Sequence, residues 1–413
     1  MESISGLISE IDVRVIDREL KHDEVVEFLK KEGYEKTPVI LNVEGKRVAK
    51  NFVATREMLC SYLGVEKEKL APYLSSLEYS EPEVLDHPQP GMKKRKLRVE
   101  DLPVLKYYPR DGGRYITAGV VIAPFDGRCN ACIHRMMLIS GNRLAVRLVK
   151  PRHTYLLWEK AVREGRELRI AVAIGVHPLV LFASATRVPE GMEFCYANSM
   201  KKLELYTYDY DKKLKVPPAE IVMFGRITAE LEKEGPFVDL TGTYDIVRDQ
   251  PVIEIDEIYS LDDPVYYSIT PASSEHQVLM GIPYEPVIYQ SVSKVCKVRN
   301  VVMSEGGMHY FHAFVQIEKH SEGDAKNAIM AAFAAHHSLK HVVVVDEDIN
   351  IFDVKDVEYA IATRFQGDRD LVIVSGARGS SLDPSSCDGL TAKVGLDATK
   401  PLERREDFER VFG

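Results

Sequence analysis

The sequence predicts an α/β protein with a β-rich middle, and three observations carry that reading. Apolar residues recur at helical spacing near the N-terminus, break into many short runs punctuated by Gly and Pro between residues 115 and 290, and return to alternating strand and helix patterns after about residue 295. The two changes of character set boundaries near 113 and 292. They give an N-terminal α/β domain with a Pro-rich connector (1–113), a β-rich domain (114–292), and a C-terminal α/β domain with an oligomerisation tail (293–413). A chain of 413 residues is long enough for two or three such domains, each with its own core.

Taken in order, residues 10–33 read as a helix, with Val25, Val26, Phe28 and Leu29 on one face and Glu and Lys on the other. The run 37–43 reads as a strand turned at Glu44-Gly45, and 54–63 as a short helix stopped by Gly64. Between Tyr79 and Gly113 the residues Pro82, Pro88, Pro90, Pro103 and Pro109 mark an irregular connector. The one basic block, Lys93-Lys94-Arg95-Lys96-Leu97-Arg98, lies inside it and reads as solvated linker. In the middle, the runs 144–149, 169–174, 180–185, 219–226, 237–240 and 252–257 read as strands of a barrel or sandwich, with one helix from 154 to 165. Further on, 311–317 is a strand, 324–333 an Asp-capped helix, 341–346 an unbroken apolar strand of the kind buried in a parallel or mixed sheet, 354–364 a helix and 370–374 a strand. The Gly-rich segment 376–381 lacks the Lys-Ser/Thr of a nucleotide loop and reads as flexible. The tail 407–412 reads as a helix that docks on a partner subunit.

Composition narrows the function. A formal charge of −9 without a long basic stripe argues against nucleic acid as partner. No apolar run reaches the length of a membrane span, and Met1-Glu2-Ser3-Ile4 lacks the basic start and apolar run of a signal peptide. Six scattered cysteines suit a reducing compartment, so the expected location is the cytoplasm.

The densest chemistry lies in Arg128-Cys129-Asn130-Ala131-Cys132-Ile133-His134-Arg135: two thiols, an amide, an imidazole and two guanidinium groups beside an apolar strand. Cys129 and Cys132 have the spacing of a zinc knuckle or a redox pair. A zinc knuckle needs a second close pair, whereas Cys60, Cys195, Cys296 and Cys387 stand alone. A redox pair opens a helix, which the polar continuation His134-Arg135 does not suggest. Ordinary buried thiols remain the alternative.

Asn130-x4-Arg135 is followed by Lys150-Pro151-Arg152-His153, by Ala183-Ser184-Ala185-Thr186 leading through Pro189-Glu190-Gly191-Met192 to Glu193, and by Glu234-Gly235-Pro236-Phe237-x-Asp239. Later come Val345-Asp346-Glu347-Asp348-Ile349-Asn350-Ile351, Asp356-Val357-x-x-Ala360 and Thr363-Arg364. This ordered set, from about residue 20 to residue 400, resembles the UbiD family of decarboxylases. The resemblance implies α/β plus β-barrel: an N-terminal α/β domain, a central split β-barrel of flavin-reductase type and a C-terminal α/β domain. It also implies prenylated FMN supplied by a flavin prenyltransferase, Mn²⁺ or Mg²⁺, often K⁺, a dimeric or hexameric homo-oligomer, and reversible non-oxidative decarboxylation of aromatic or α,β-unsaturated acids.

By that resemblance Asn130, His153 and Glu193 hold the divalent ion on the cofactor phosphate. Their amide, imidazole and carboxylate form a hard, mixed donor set suited to Mn²⁺ or Mg²⁺. Cys132, Ile133, Arg152, Ser184 and Lys393 are expected at the cofactor, and Thr117, Ala183, Ser184 and Thr186 near the monovalent cation. Arg135 suits the substrate carboxylate, because its planar fork binds carboxylates in a bidentate way. Asp239 is then the proton donor and Glu234 the partner of Arg135. Gly235-Pro236 interrupts the run, so alternation does not say whether the two acids share a face.

Three positions depart from the family pattern: Asp239 where many members carry Glu, Cys132 where others carry Ser, and a turn before Glu193 one residue shorter than in fungal relatives. The Asp form is similar to the archaeal branch, which is linked to trans-anhydromevalonate 5-phosphate in isoprenoid synthesis. A phosphorylated substrate asks for a further cation, for which Arg152 and Arg187 are candidates. The alternatives are a decarboxylase of polyprenyl-4-hydroxybenzoate or another aryl acid, and a flavin- or metal-binding protein without turnover.

Overall fold

Val39–Val43 is buried at all positions but one, and that apolar run becomes the interior of the first sheet. It pairs in parallel with Arg14–Leu20 and antiparallel with Lys46–Lys50, through a turn whose Glu44 and Gly45 both take positive φ (51° and 76°). Tyr266–Tyr267 closes the far edge beside Lys46–Lys50. The continuous helix expected over 10–33 is therefore corrected to a strand, Arg14–Leu20, and a helix, Val25–Lys31. Backbone pairing with a buried strand outweighs the modest helix propensity of this charged stretch. The computed structural model from which these elements are described covers residues 1–411, so Phe412 of the expected tail helix lies outside the described residues. The chain divides into two compact units, one made of Met1–Leu63 with Leu77–Leu279, the other of Gly64–Ser76 with the chain from Met280 onward.

The first unit also holds a nine-stranded antiparallel sheet. Its order is Tyr115–Ile116, Met136–Ser140, Arg143–Val146, Arg248–Ser260, Ile221–Glu234, Leu168–Ile174, Val120–Phe125 and Arg128–Ile133, with Lys93–Arg95 added against Arg248–Ser260. No ladder joins the two ends of this path among the described residues, so the sheet is open rather than a closed barrel. Val121, Ile170, Val172, Met223 and Ile253 pack in its core.

Two central expectations are corrected. The basic block is not free linker: Lys93 pairs with Asp262 and Lys94 with Glu257 at the sheet edge. The run 180–185 belongs to a helix, Pro178–Ala185, and Glu193–Met200 is a further helix, so 154–165 is not the only one. Residues Pro178 to Ser184 are all buried, and a helix wet on no face carries no 3.6-residue pattern to read. Its start was written in Pro178 and in His177, whose Nδ1 accepts from the Leu179 amide.

The second unit is a five-stranded mixed sheet in the order Lys297–Met303, His312–Glu318, His341–Asp346, Leu390–Ala398, Leu371–Arg378. The three middle strands run parallel and the two outer ladders are antiparallel. Asp324 does not cap its own helix: its carboxylate accepts from the His320 and Ser321 amides of the preceding turn. The segment 376–381 is only partly loop, since Leu371–Arg378 passes through Gly376. Among the described residues the tail is a 3-10 turn, Leu402–Phe408, with no helix over 409–411, and Arg410 beyond it pairs with Asp356 and lies over the Tyr359 ring. No helix among the described residues is long and apolar enough to cross a membrane.

Candidate active site

The strand Arg128–Ile133 alternates, so Asn130 and Cys132 share one face. Three helices pack on this strand: His153–Arg163, Pro178–Ala185 and Glu193–Met200. His153 and Glu193 are each the first residue of their helix, where backbone amides and the helix dipole favour an anion such as phosphate. His153 Nδ1 lies 3.8 Å from Glu193 Oε1, and this contact raises the histidine pKa.

A hydrogen-bond chain fixes how Asn130 points. His134 sits between the Arg147 carbonyl, 3.1 Å from Nδ1, and the Thr154 hydroxyl, 3.0 Å from Nε2. Burial lowers the His134 pKa to about 4, so its imidazole is neutral, donating from Nδ1 and accepting at Nε2. Thr154 therefore gives its proton to His134 and accepts from Asn130 Nδ2 at 3.1 Å. The Asn130 amide is thus oriented with Oδ1 free. Asn130 Oδ1 and Glu193 Oε2 are both buried without a hydrogen-bond partner. Two such oxygens are costly to bury unless a cation meets them, so the donor set fits a hard divalent ion. Among the described residues no three His, Cys, Asp or Glu side chains cluster as a metal site, and here the third donor is an amide.

The second half of the site is an ion-pair cluster on Arg135. Its Nε and Nη2 bind Glu234 in a bidentate grip at 3.0 and 3.1 Å, Nη1 binds Asp239 at 2.8 Å, and Nη2 also binds Asp245 at 2.9 Å. The Phe237 ring lies 4.8 Å from the guanidinium carbon. Burial opposes the arginine charge, but the carboxylates raise its pKa above the usual value. The hairpin 234–248 produces this convergence. Phe237–Val238 pairs with Tyr244–Asp245, and Glu234 stands opposite Arg248 in the longer ladder. Gly235 enters the turn at φ 102°, and a β-carbon at Gly112 would meet the Gly235 carbonyl at 2.1 Å, so both positions need glycine. Glu234 is wholly buried, whereas the Asp239 side chain is 19% exposed, the most open of the three acids.

The other predicted residues fall as follows. Ser184 presents a buried hydroxyl without a partner, and the Ala183 carbonyl accepts from the Thr186 amide. The Thr186 hydroxyl is taken by the Phe182 carbonyl, and that of Thr117 by Tyr107 and the Ile269 amide. Ile133 is half-buried, while Arg152 and Arg187 are exposed, Arg152 at the helix N-cap. Burial raises the thiols of Cys129 to about 11 and Cys132 to about 12, which keeps both protonated. Three residues apart on a strand, they face opposite ways and cannot act as one chelating or redox pair. Lys393, in the second unit, donates to the His337 and Leu339 carbonyls, and burial lowers its pKa to about 8.

Sequence reasoning named His134 only as a member of the polar cluster and missed Thr154, Asp245, Arg248 and His276. His276 lies within electrostatic reach of Asp239 and Arg135, burial lowers its pKa, and its Nδ1 accepts from the Ala272 amide, which puts the ring proton on Nε2. No spacing signal marks such residues; only Asp245, one turn beyond a quoted motif, was within reach of a longer reading.

Comparison with known proteins bears on this geometry. Residues 83–274 match the profile of the 3-octaprenyl-4-hydroxybenzoate carboxy-lyase Rift-related domain, UbiD, and residues 277–398 that of the C-terminal domain of the same carboxy-lyase. An anhydromevalonate phosphate decarboxylase of Archaeoglobus fulgidus is 61% identical over 399 residues, covering 96% of this chain and 92% of the relative. The UbiD-class enzyme HmfF of Pelotomaculum thermopropionicum in complex with FMN is 36% identical with a TM-score of 0.92, covering 99% of this chain and 96% of that one. An evolved dimeric form of the same enzyme, in complex with prFMN, is 32% identical with a TM-score of 0.89, covering 100% and 97%.

Proposed function

The chain belongs to the UbiD family of carboxy-lyases, and on that premise we propose that it decarboxylates trans-anhydromevalonate 5-phosphate with prenylated FMN, in isoprenoid biosynthesis. The substrate follows the relatives; the observation that carries the chemistry is Arg135 held between Glu234 and Asp239. We read the open nine-stranded sheet as a split barrel and keep the three-domain division at 113 and 292.

Asn130, His153 and Glu193 would hold Mn²⁺ or Mg²⁺ on the cofactor phosphate, a reading supported by the two orphaned oxygens. Ser184, with its partnerless hydroxyl, and the Ala183 and Thr186 backbone are the donors for K⁺; Thr117 is the weakest of that set because its hydroxyl is already bonded. Cys132, Ile133 and Arg152 are retained as cofactor contacts. Bound prenylated FMN supplies the electron sink that no side chain offers.

This chain's own residues then perform two tasks. Arg135 orients the substrate carboxylate, with Glu234 fixing the guanidinium from its opposite edge. As the bond from carbon to CO₂ breaks, Asp239 gives the proton that forms the new C–H bond; its partial exposure lets it be protonated again from solvent. Aspartate is one methylene shorter than glutamate, which leaves room for a differently shaped acid. Arg152 and Arg187 are the candidates for the substrate phosphate. The protein would take its cofactor from a flavin prenyltransferase and work as a dimer or hexamer in the cytoplasm, with its six cysteines reduced and not joined in disulfides.

The test is a substrate panel on enzyme co-expressed with a flavin prenyltransferase. CO₂ release from trans-anhydromevalonate 5-phosphate should exceed that from polyprenyl-4-hydroxybenzoate and cinnamic acids by at least ~100-fold in kcat/KM, since a site built for a charged group rejects analogues lacking it. Equal or greater release from an aryl acid would overturn the substrate. Cofactor retention without release from any acid would mark a carrier.

A further inference from the structure

We propose that Asp245 and Arg248 form a positioning clamp that restricts Arg135 to a single working edge. Four of the five Arg135 N–H bonds are taken: two by Glu234, one by Asp245 and one by Asp239. Asp245 fills the outer N–H of Nη2, so only Nη1 stays available, shared between Asp239 and an incoming carboxylate. Arg248 Nη1 grips the same Asp245 oxygen at 2.6 Å, and the other Asp245 oxygen accepts from the Ile246 amide at 2.9 Å. The carboxylate is thus held by three donors and is 11% exposed. Burial would raise its pKa, but Arg248 and Arg135 together hold it below the ordinary value.

The pair matters because it is neutral. Glu234 already offsets the Arg135 charge, so a further aspartate without a cation of its own would make the cluster net negative and repel the substrate carboxylate. With Arg248 attached, Asp245 supplies a directed hydrogen bond and no net charge. The ladder makes this possible: Phe237 stands opposite Asp245 and Glu234 opposite Arg248, so one hairpin carries the grip, the acid and the clamp.

The two halves of the clamp should fail in different ways. Asp245→Asn or Asp245→Ala leaves Arg135 charged but held by Glu234 and Asp239 alone, which loosens the guanidinium, so kcat should fall about 10–100-fold while KM stays level or drops. Arg248→Met leaves Asp245 uncompensated, so KM should rise about 10-fold through like-charge repulsion, and Arg248→Lys should restore it to within about threefold. Because these constants rest on the proposed decarboxylase activity, crystal structures of wild type and Asp245→Ala give a reading independent of turnover. Arg135 should leave its place on Glu234 or split between conformers in the variant. An Arg135 that stays put, or a kcat unchanged in both Asp245 variants, would overturn the clamp. So would a fall in Tm with kcat and KM worsening together in every variant, as for a merely structural hairpin residue. A wild-type enzyme that releases no CO₂ sinks the functional reading alone, and the crystal comparison still decides the clamp.

Discussion

At the scale of single residues, a histidine that stays neutral down to about pH 4 sets the direction of the Asn130 amide, a proposed metal ligand. His134 is buried between a backbone carbonyl and Thr154, with its pKa lowered to about 4 from 6.5. An unfolded chain takes up that proton near pH 6.5 while the folded chain refuses it until about pH 4. The stability from His134 is therefore complete above pH 6.5, is lost as pH falls toward 4, and amounts to about 3 kcal/mol over that range. His134→Gln should flatten this part of the profile, read as the denaturation midpoint against pH for both proteins. Parallel profiles would contradict the neutral, buried assignment. The sequence could present His134 only as part of a polar cluster; its role lies in partners 13 and 20 residues away, which no spacing encodes.

At the scale of elements, the site depends on where helices begin. The helices starting at His153 and Glu193 bring an imidazole and a carboxylate to the strand that carries Asn130, and Thr154 in the first turn orients the amide. Thr154→Val removes the acceptor for Asn130 Nδ2. Mn²⁺ affinity, read by electron paramagnetic resonance titration, should weaken by about 10–100-fold while the fold persists. An unchanged affinity would mean that Thr154 does not orient the ligand. Elements were legible in proportion to their patterning. The alternating and unbroken apolar runs at Val39–Val43 and His341–Asp346 were readable as strands. The all-buried helix Pro178–Ala185 was not, because burial on every face erases its period. Arg14–Leu20 was missed because an outer strand with mostly exposed side chains resembles a charged helix in sequence.

At the scale of the whole molecule, residues far apart in sequence meet because one antiparallel sheet and one hairpin fold them together. Arg135 reaches acids 99, 104 and 110 positions away. The ordered motifs made the first two acids nameable from sequence, since a family resemblance supplies the long-range pairing that local physics lacks. Asp245 and Arg248 lay outside those motifs, and only the ladder register brings them in. The central claim is that Asp239 delivers the proton beside Arg135. The most direct test compares CO₂ release by wild type and Asp239→Asn on trans-anhydromevalonate 5-phosphate, with cofactor loading matched by visible absorbance. Loss of a positioned acid predicts a fall of about 100-fold or more at equal loading. Equal rates in the two proteins would contradict it.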